Sequence, residues 1–552
     1  MSTTGDAADL LLAGGSVRVM DAVGRTASAV AVRGGRIVAV GSDRDVTALA
    51  GPRTRRIDLA GRTLLPAFQD AHVHPSMAGV GLLRCPLHEL PRTLEAYQDA
   101  IRRYAAANPG APWVLGDGWY MEAFPGGTPR REDLDAVVPD RPAFFINRDA
   151  HGAWANSRAL AVAGITRGTP DPANGRIERD ANGEPTGTLH EGAMEDVKRI
   201  LPPVTVEDRA QGIELAQAYL HRLGITAWQD AWVTPDDLAA YRLAAERGRL
   251  TARVVANLWW ERERGGEQID EMIERRRTGQ IGRLRASTVK IMLDGVAENF
   301  TAAMLHPYLD GHGRSTGNRG ISFVDPELLK GYVTRLDAEG FQIHFHALGD
   351  RAVREGLDAV EAARRANGPR DNRHHLAHLQ VVDPADVARF RTLGASANMQ
   401  PFWACNDPQM VELTRPYLPP DRFALQYPFR SLRRAGAILA GGSDWTVSTP
   451  NVMAEVEVAV TRVSPEDRSA DPLLPDEALD LPDALAAYTI GSAYVNHLDG
   501  VTGTIEVGKL ADLVVLDRDI FAPDAGPLGD VRVLLTLLEG DVVHEDAALE
   551  GR

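Results

Sequence analysis

Histidine and aspartate side chains end several apolar segments of this chain. The segment "TLLPAFQDAHVH" ends in His72 and His74. Because alternate residues of a strand share one face, the two imidazoles point the same way. Three later segments, "FQIHFH", "HHLAH" and "AILAGGSD", end in further candidates: His344 and His346, His378, and Asp444. Imidazole and carboxylate are ligands that Zn²⁺ and similar divalent ions prefer, so these residues together would form a metal centre able to activate water.

One lysine stands in an apolar segment, where a charge is costly. The chain has four lysines against 56 arginines, so Lys290 in "STVKIMLDG" needs a physical reason. A buried ammonium group is destabilising unless it is paired. Two interpretations remain open. Either Lys290 pairs with Asp294 or another carboxylate, or it reacts with CO₂ to give a carbamate that binds metal. Arginine cannot form that carbamate. If the carbamate is needed, lysine must be kept at this position even in an arginine-rich chain.

The elements that would position these residues alternate between strand and helix. Eight segments are predicted as strands: 65–74, 225–230, 253–258, 288–294, 341–346, 375–379, 395–400 and 437–444. Helical segments such as "PELLKGYVTRLDAEG" and "DPADVARFRTLG" lie between several of them. Eight strand–helix units indicate a (β/α)₈ TIM barrel, whose active site lies at the carboxyl ends of the strands. The candidate metal ligands occur at those ends.

The remaining segments predict two additions to the barrel. Residues 1–66 and 500–552 are predicted as short strands separated by glycine-rich turns. Each half alone would leave strand edges unpaired, so together they predict one composite β-sandwich. The gap between residues 74 and 225 is too long for one crossover and predicts an inserted subdomain at about 76–200. The predicted fold is therefore α/β, with the barrel over 67–499, the insert after strand 1 and a sandwich half at each end.

Several motifs resemble those of the amidohydrolase superfamily. They are "DAHVH", "VKIMLDG", "HALGDRAV", "GSD" and the closing "GTIEVGKLADLVVLD". The chain is similar to the metal-dependent branch that includes N-substituted formamide deformylases. By this resemblance six residues bind one or two Zn²⁺ ions: His72, His74, Lys290, His346, His378 and Asp444. Asp444 would also carry a proton as the catalytic residue, and an N-carboxylated Lys290 would bridge two ions. The motif "H-x-x-G-D" favours His346 over His344 as the ligand.

Aromatic residues are frequent where a substrate pocket is predicted. Six of the nine tryptophans lie at or just after predicted strand ends, and the other three, which include Trp119 and Trp154, lie in the insert. Loops after the strand ends line the pocket of such a barrel, so this pattern favours a flat or hydrophobic substrate group. The residues predicted to bind substrate are Trp119, His151, Trp154, Trp403 and Trp445. Asn156 is also considered, although asparagine is a common helix cap.

The composition argues against several classes of partner. The formal net charge is −16, so nucleic acid and anionic membranes are poor partners. No segment reaches the roughly 18 apolar residues of a membrane span, and the N-terminal segment lacks the basic region of a signal peptide. Two cysteines, Cys85 and Cys405, do not make a disulfide framework, so a cytoplasmic location is expected. A small molecule is the expected partner, and a homodimer is left open.

The predicted reaction is hydrolysis of an amide-type C–N bond in an N-acyl or N-formyl amine by metal-activated water. Alternatives for the same site are a cyclic amide or imidate hydrolase, a deaminase, and a non-hydrolytic decarboxylase or isomerase. Deaminases of the adenosine type use one metal and lack the lysine on this strand, so Lys290 argues against that variant. A metal-stabilised binding protein without turnover is a further alternative.

Overall fold

Eight parallel strands form a nearly closed barrel in the computed structural model of the chain, which describes residues 7–88, 90–148, 152–172 and 175–549. We number the barrel strands 1 to 8 in chain order: Phe68–Val73, Ile225–Val233, Arg253–Trp259, Leu284–Met292, Gln342–Ala347, His375–His378, Ser396–Met399 and Leu439–Gly441. Each strand is hydrogen-bonded to the next in this order. Strands 8 and 1 are joined just after the end of strand 8, where the N–H of Asp444 donates to the carbonyl of His72 (2.7 Å). The predicted fold class is confirmed.

Two barrel strands end two or three residues earlier than the sequence predicts. Strand 4 stops at Met292, before Asp294. The Asp294 carboxylate instead accepts hydrogen bonds from the backbone N–H groups of Ala303, Leu348 and Gly349 (2.9–3.1 Å), which turns the chain away from the sheet. Strand 8 stops at Gly441, and Asp444 then adopts φ +56°, a left-handed conformation that cannot continue a strand.

Helices lie between consecutive barrel strands. The helices from residue 206 onwards are Val206–Arg222, Pro235–Glu246, Gln268–Thr278, Pro326–Ala338, Asp350–Asn367, Pro384–Leu393, Pro420–Phe423, Phe429–Arg434, Val452–Thr461, Leu481–Ala486 and Ser492–Val495. Four of them begin with a proline, and in three of these four the preceding side chain, Thr234, Asp325 or Asp383, accepts a hydrogen bond from the first turn. Proline and such caps favour helix initiation at these positions. No helix in the described part of the chain is long and apolar enough to cross a membrane.

Strands from both ends of the chain share a sheet. Its six strands, in spatial order, are Asp541–Glu545, Val533–Leu538, Leu513–Leu516, Thr63–Pro66, Ser16–Arg18 and Thr26–Ala27. A second sheet has four strands, Arg36–Gly41, Ala29–Arg33, Ala8–Ala13 and Ala50–Asp58, and the short helix Asp43–Thr47 follows the first of them in the chain. Buried side chains of both sheets, among them Leu12, Val30, Leu64 and Leu535, form one apolar core. The predicted domain boundaries at residues 66 and 500 stay predictions.

A second compact unit lies within Met77–Ala216. Its six-stranded sheet has the order Gly175–Arg179, Pro185–Glu191, Gly152–Ala155, Ala143–Asn147, Val114–Trp119 and Cys85–Pro86. The helices of this stretch are Pro75–Leu82, Leu94–Ala107, Arg131–Asp135, Ser157–Val162 and Glu195–Lys198. Helix Leu94–Ala107 buries Tyr97, Ile101 and Ala105, which are spaced so that they share one face. The unit thus has an apolar core of its own.

Candidate metal centre

His72, His74 and Asp444 meet where barrel strands 1 and 8 end. Asp444 Oδ1 lies 3.3 Å from His72 Nε2 and 3.0 Å from His74 Nε2. One ligand atom of each residue lies within 4.8 Å of the others, and all three side chains are buried. The two histidines share one face of the chain at the end of strand 1, as the alternation predicts. These three atoms could hold one metal ion.

The backbone at two of the predicted ligands is held in an uncommon conformation. Asp444 has φ +56° and His378 has φ +76°, a region that residues other than glycine rarely adopt. Hydrogen bonds fix both positions. The N–H of Asp444 donates to His72 O (2.7 Å), and the N–H of His378 donates to Gln400 Oε1 (2.6 Å). Strained backbone of this kind clusters at functional sites, because the surrounding structure must hold it in place.

The imidazoles of His346 and His378 lie next to the first three residues. The His378 ring centroid is 4.8 Å from that of His72 and 4.5 Å from that of His346. His346 comes from strand 5 and His378 from strand 6, so three different strand ends supply the four histidines. The second predicted ligand pair therefore lies beside the first, and a two-metal centre stays a prediction.

Several buried nitrogen atoms in this cluster make no hydrogen bond to the described residues: His74 Nδ1, Lys290 Nζ, His346 Nδ1 and His378 Nε2. Each unpaired buried polar atom costs about 1–3 kcal/mol, so the cluster as it stands calls for a further binding partner. Burial and the nearby Lys290 lower the pKa of His72 to about 3, and burial lowers the pKa of His378 well below its usual value. Both imidazoles are therefore neutral near pH 7, the form that binds metal. The residues fit a divalent ion.

Lys290 lies on strand 4 without the carboxylate partner that one interpretation required. Its Nζ makes no hydrogen bond in the described structure. The Asp294 carboxylate instead accepts hydrogen bonds from backbone N–H groups, and its Oδ1 lies 3.3 Å from His346 Nδ1. An ion pair with Asp294 is thus not formed. Burial lowers the pKa of Lys290 to about 7, so an unprotonated amine is present near neutral pH. That is the form able to react with CO₂, and N-carboxylation stays a prediction.

His344, the rival ligand of strand 5, has both ring nitrogens occupied. His344 Nε2 lies 2.8 Å from His72 Nδ1, and His344 Nδ1 lies 2.6 Å from Asn257 Nδ2. His344 is fully buried. It therefore orients the His72 ring through a hydrogen bond, as residues behind metal ligands commonly do. The geometry agrees with the choice of His346 as the ligand.

The residues predicted to bind substrate lie in three different environments. Trp403 is half-buried after strand 7, and Trp445 is 9% exposed directly after Asp444. Trp119 and Trp154 lie in the apolar core of the unit within Met77–Ala216, where their indole N–H groups donate to backbone carbonyls. His151 lies outside the described residues. Substrate contacts of these five residues stay predictions.

Other polar candidates have structural partners. Asn156 caps helix Ser157–Val162, because its Oδ1 accepts a hydrogen bond from Ala159 N (2.9 Å). This is the cap that the sequence offered as an alternative. His375, three residues before His378, is fully buried and contacts Gln229 Oε1 through Nε2 (3.2 Å).

Two residues that support the ligands were not identified from the sequence. Asn257 stands in the apolar strand "VVANLWW", and this isolated polar residue is the same kind of signal as Lys290. Gln400 holds the backbone of His378 through a contact between strands 6 and 7. A glutamine at a strand end gives no local signal of that role, since the contact depends on how neighbouring strands pair.

Known proteins resemble this chain over nearly its full length. The amidohydrolase family matches residues 55–544. The protein LONG AFTER FAR-RED 3 of Arabidopsis thaliana is 31% identical over 98% of this chain and 92% of its own length. An N-substituted formamide deformylase of Arthrobacter pascens is 30% identical over 97% of this chain and 98% of its own length. The crystal structure of an uncharacterized metal-dependent hydrolase from Pyrococcus furiosus has a TM-score of 0.72 at 26% identity, covering 92% of this chain and 99% of that one. The chain therefore belongs to the amidohydrolase family.

Proposed function

We propose that this chain hydrolyses an amide-type C–N bond in a small N-acyl or N-formyl amine, using one or two divalent ions such as Zn²⁺. The observation that carries the proposal is the buried cluster of His72 Nε2, His74 Nε2 and Asp444 Oδ1, with unpaired ring nitrogens beside it. The deformylase of Arthrobacter pascens, whose name specifies N-substituted formamides, supports an N-formyl amine as the substrate. A small-molecule partner and a cytoplasmic location are part of the same proposal.

Asp444 is the proposed proton carrier. A divalent ion bound at the centre would lower the pKa of a water molecule far below its value in bulk water, towards about 7, and polarise the substrate carbonyl. Burial acts to raise the pKa of Asp444, but His72 and His74 outweigh it and lower that pKa well below its usual value. The ionised carboxylate can accept a proton from the attacking water and donate it to the leaving nitrogen. The carbonyl carbon gains the hydroxyl group as the C–N bond breaks and the amine departs.

The other ligands are proposed to hold the ions and position the substrate carbonyl. His72 and His74 would bind the first ion, and His346 and His378 the second. An N-carboxylated Lys290 would bridge them, since a carbamate supplies two anionic oxygens where an ammonium group would repel both cations. The fully buried position of Lys290 and the absence of a hydrogen bond from its Nζ to the described residues support this role.

The proposal is tested with purified protein loaded with Zn²⁺ and a panel of N-formyl and N-acyl amines. Mass detection of the released acid and amine identifies hydrolysis directly. Asp444→Asn keeps the size of the side chain and removes the proton acceptor, so we expect turnover to fall at least about 100-fold. The matched control is Asp310→Asn in an exposed loop, which should leave turnover unchanged. Equal turnover by Asp444→Asn, or none by the metal-loaded wild type on either class, would refute the proposal.

A further inference from the structure

Two tryptophan rings stack at the carboxyl ends of barrel strands 2 and 3. The ring centroids of Trp232 and Trp259 are 4.2 Å apart and their planes differ by 9°. Trp232 is 42% exposed and Trp259 is half-buried. Exposed tryptophan at this level is unusual for a side chain whose main contribution to stability is burial. The pair offers an aromatic surface to solvent at the end of the barrel where the metal centre lies.

Trp259 faces the interior of the barrel. It follows Asn257 by two residues, and alternate residues of a strand share one face. The side chain of Asn257 contacts His344 inside the barrel, so Trp259 points to the same side. In the ladder between strands 3 and 4, Trp259 is the direct partner of Lys290. Neighbouring strands lie about 4.8 Å apart, so the backbone of Trp259, from which its indole extends, lies next to Lys290 of the candidate metal centre.

A β-bulge turns Trp232 to the same side. Asp230 pairs with Ala256, and Val233 pairs with Leu258, so strand 2 has one more residue between these pairs than strand 3. Before the bulge, Asp230 faces outward and accepts a hydrogen bond from Tyr241 Oη (2.7 Å) on the outer helix Pro235–Glu246. After the extra residue, the alternation between inward and outward side chains is shifted by one position. Trp232 therefore points to the interior side of the strand, as Trp259 does. Bulges next to active sites commonly re-aim a side chain in this way.

We propose that Trp232 and Trp259 form the subsite for an aromatic group on the substrate, which makes arylalkyl amides the preferred class. The inference rests on the proposed hydrolysis and specifies its substrate. A planar ring can stack against the exposed indole or meet it edge to face, and a saturated ring of similar size gains only apolar contact. The two tryptophans are specificity-determining residues and bind no metal.

The test compares two substrates that differ only in ring planarity, the N-formyl derivatives of 2-phenylethylamine and 2-cyclohexylethylamine. The zinc-loaded wild type should favour the aromatic substrate in kcat/KM by about tenfold. Trp232→Leu and Trp259→Leu keep an apolar side chain without the aromatic face and should bring this ratio close to one. The control is Phe521→Leu, an aromatic residue that packs under Arg18 in the terminal segment, and it should keep the wild-type ratio. Metal content should stay the same in all variants.

A ratio that both tryptophan variants leave unchanged would overturn the subsite while leaving the hydrolase intact. If the wild type hydrolyses neither these two substrates nor any N-formyl or N-acyl amine of the panel described above, the proposed function fails, and binding still tests the subsite. Calorimetry should then show that the zinc-loaded protein binds 2-phenylethylamine about tenfold more tightly than 2-cyclohexylethylamine, and that Trp232→Leu removes this difference. Equal binding of the two amines by the wild type would also overturn the inference.

Discussion

The amine of Lys290 lies inside the barrel with no hydrogen bond to the described residues, and we propose that its chemistry decides how many metal ions the centre binds. If Lys290 is N-carboxylated, Lys290→Ala should lose one of two bound ions and most of the activity. Lys290→Arg should do no better, because guanidinium keeps the positive charge and cannot take up CO₂. Elemental analysis of each purified variant measures the change. Short carboxylic acids added to Lys290→Ala should restore part of the rate by standing in for the carbamate.

Lys330→Ala is the matched control, because Lys330 pairs with Glu327 on the helix Pro326–Ala338 (2.6 Å). It should keep the wild-type metal content. A Lys290→Arg protein that retains both ions and near-normal turnover would show that Lys290 has only a structural role. The centre would then be assigned a single ion on the histidines.

Asn257 provides a second prediction at the residue scale. Metal binding by His72 Nε2 needs a lone pair on that atom, and therefore a proton on His72 Nδ1, which lies 2.8 Å from His344 Nε2. His344 must then be protonated at Nδ1 and needs an acceptor there. Asn257 Oδ1 has no hydrogen-bond partner among the described residues, whereas Asn257 Nδ2 faces His344 Nδ1. Rotating the side-chain amide so that Oδ1 and Nδ2 exchange places supplies the acceptor. Asn257→Leu should therefore weaken zinc binding about 10- to 100-fold.

Zinc affinity, measured by competition with a chelator, separates this effect from a loss of stability. Asn257→Asp restores an acceptor and should recover most of the affinity. Asn367→Leu removes a half-buried amide that bonds to Asp337 Oδ2 (2.7 Å), and it should lower the melting temperature without changing zinc affinity. Equal zinc affinity in Asn257→Leu and the wild type would show that the amide does not set the proton position on His72.

At the scale of elements, the contact between strands 8 and 1 depends on a glycine. A Cβ atom on Gly442 would lie 2.6 Å from His72 Cβ and 2.8 Å from His72 N, closer than real contacts allow. Backbone atoms cannot move aside as a flexible side chain does. Gly442→Ala should therefore displace His72, one of the predicted metal ligands. We expect a loss of about 1–3 kcal/mol in the free energy of unfolding, together with weaker zinc binding.

Gly500→Ala is the matched control, since nothing lies within 4 Å of a Cβ atom at that position. Chemical denaturation of both variants gives the comparison. A Gly442→Ala protein with wild-type stability and zinc affinity would mean that the strand ends can separate freely, contrary to the close contact described here.

Much of this arrangement could be predicted from local patterns. The alternation of apolar segments identified all eight barrel strands, and the spacing of His72 and His74 placed both imidazoles on one face. The side of the sheet to which Trp232 points could not be predicted, because it depends on an extra residue in the pairing of two strands. The contact of Asn257 with His344 joins residues far apart in sequence. It depends on the pairing register of the barrel strands, so it could not be predicted either. Trp119 and Trp154 were predicted as pocket residues, and the structure places them in a core that the sequence could not distinguish from a pocket wall.

At the scale of the whole molecule, strands from the two ends of the chain depend on one another. Leu513–Leu516 pairs on one side with Thr63–Pro66 and on the other with Val533–Leu538. Deleting residues 505–552 would leave the edge of Thr63–Pro66 unpaired and expose the apolar core that includes Leu12 and Leu64. We expect the truncated protein to be insoluble. Sedimentation of the expressed protein after cell lysis measures this outcome.

A shorter truncation provides the control. Deleting residues 547–552 removes the last short turn and keeps Asp541–Glu545, so this protein should stay soluble and active. A soluble and fully active protein lacking residues 505–552 would contradict the dependence of the two termini on each other.

The central claim is that the buried histidines and Asp444 bind the metal ions on which hydrolysis depends. Its most direct test is one titration in which bound metal and turnover of an N-formyl amine are measured on the same sample, first after dialysis against a chelator and then as Zn²⁺ is added back. We expect turnover to disappear with the metal and to return in proportion to bound zinc, reaching a plateau at one to two ions per chain. Full turnover from protein with well under one ion per chain would contradict this claim.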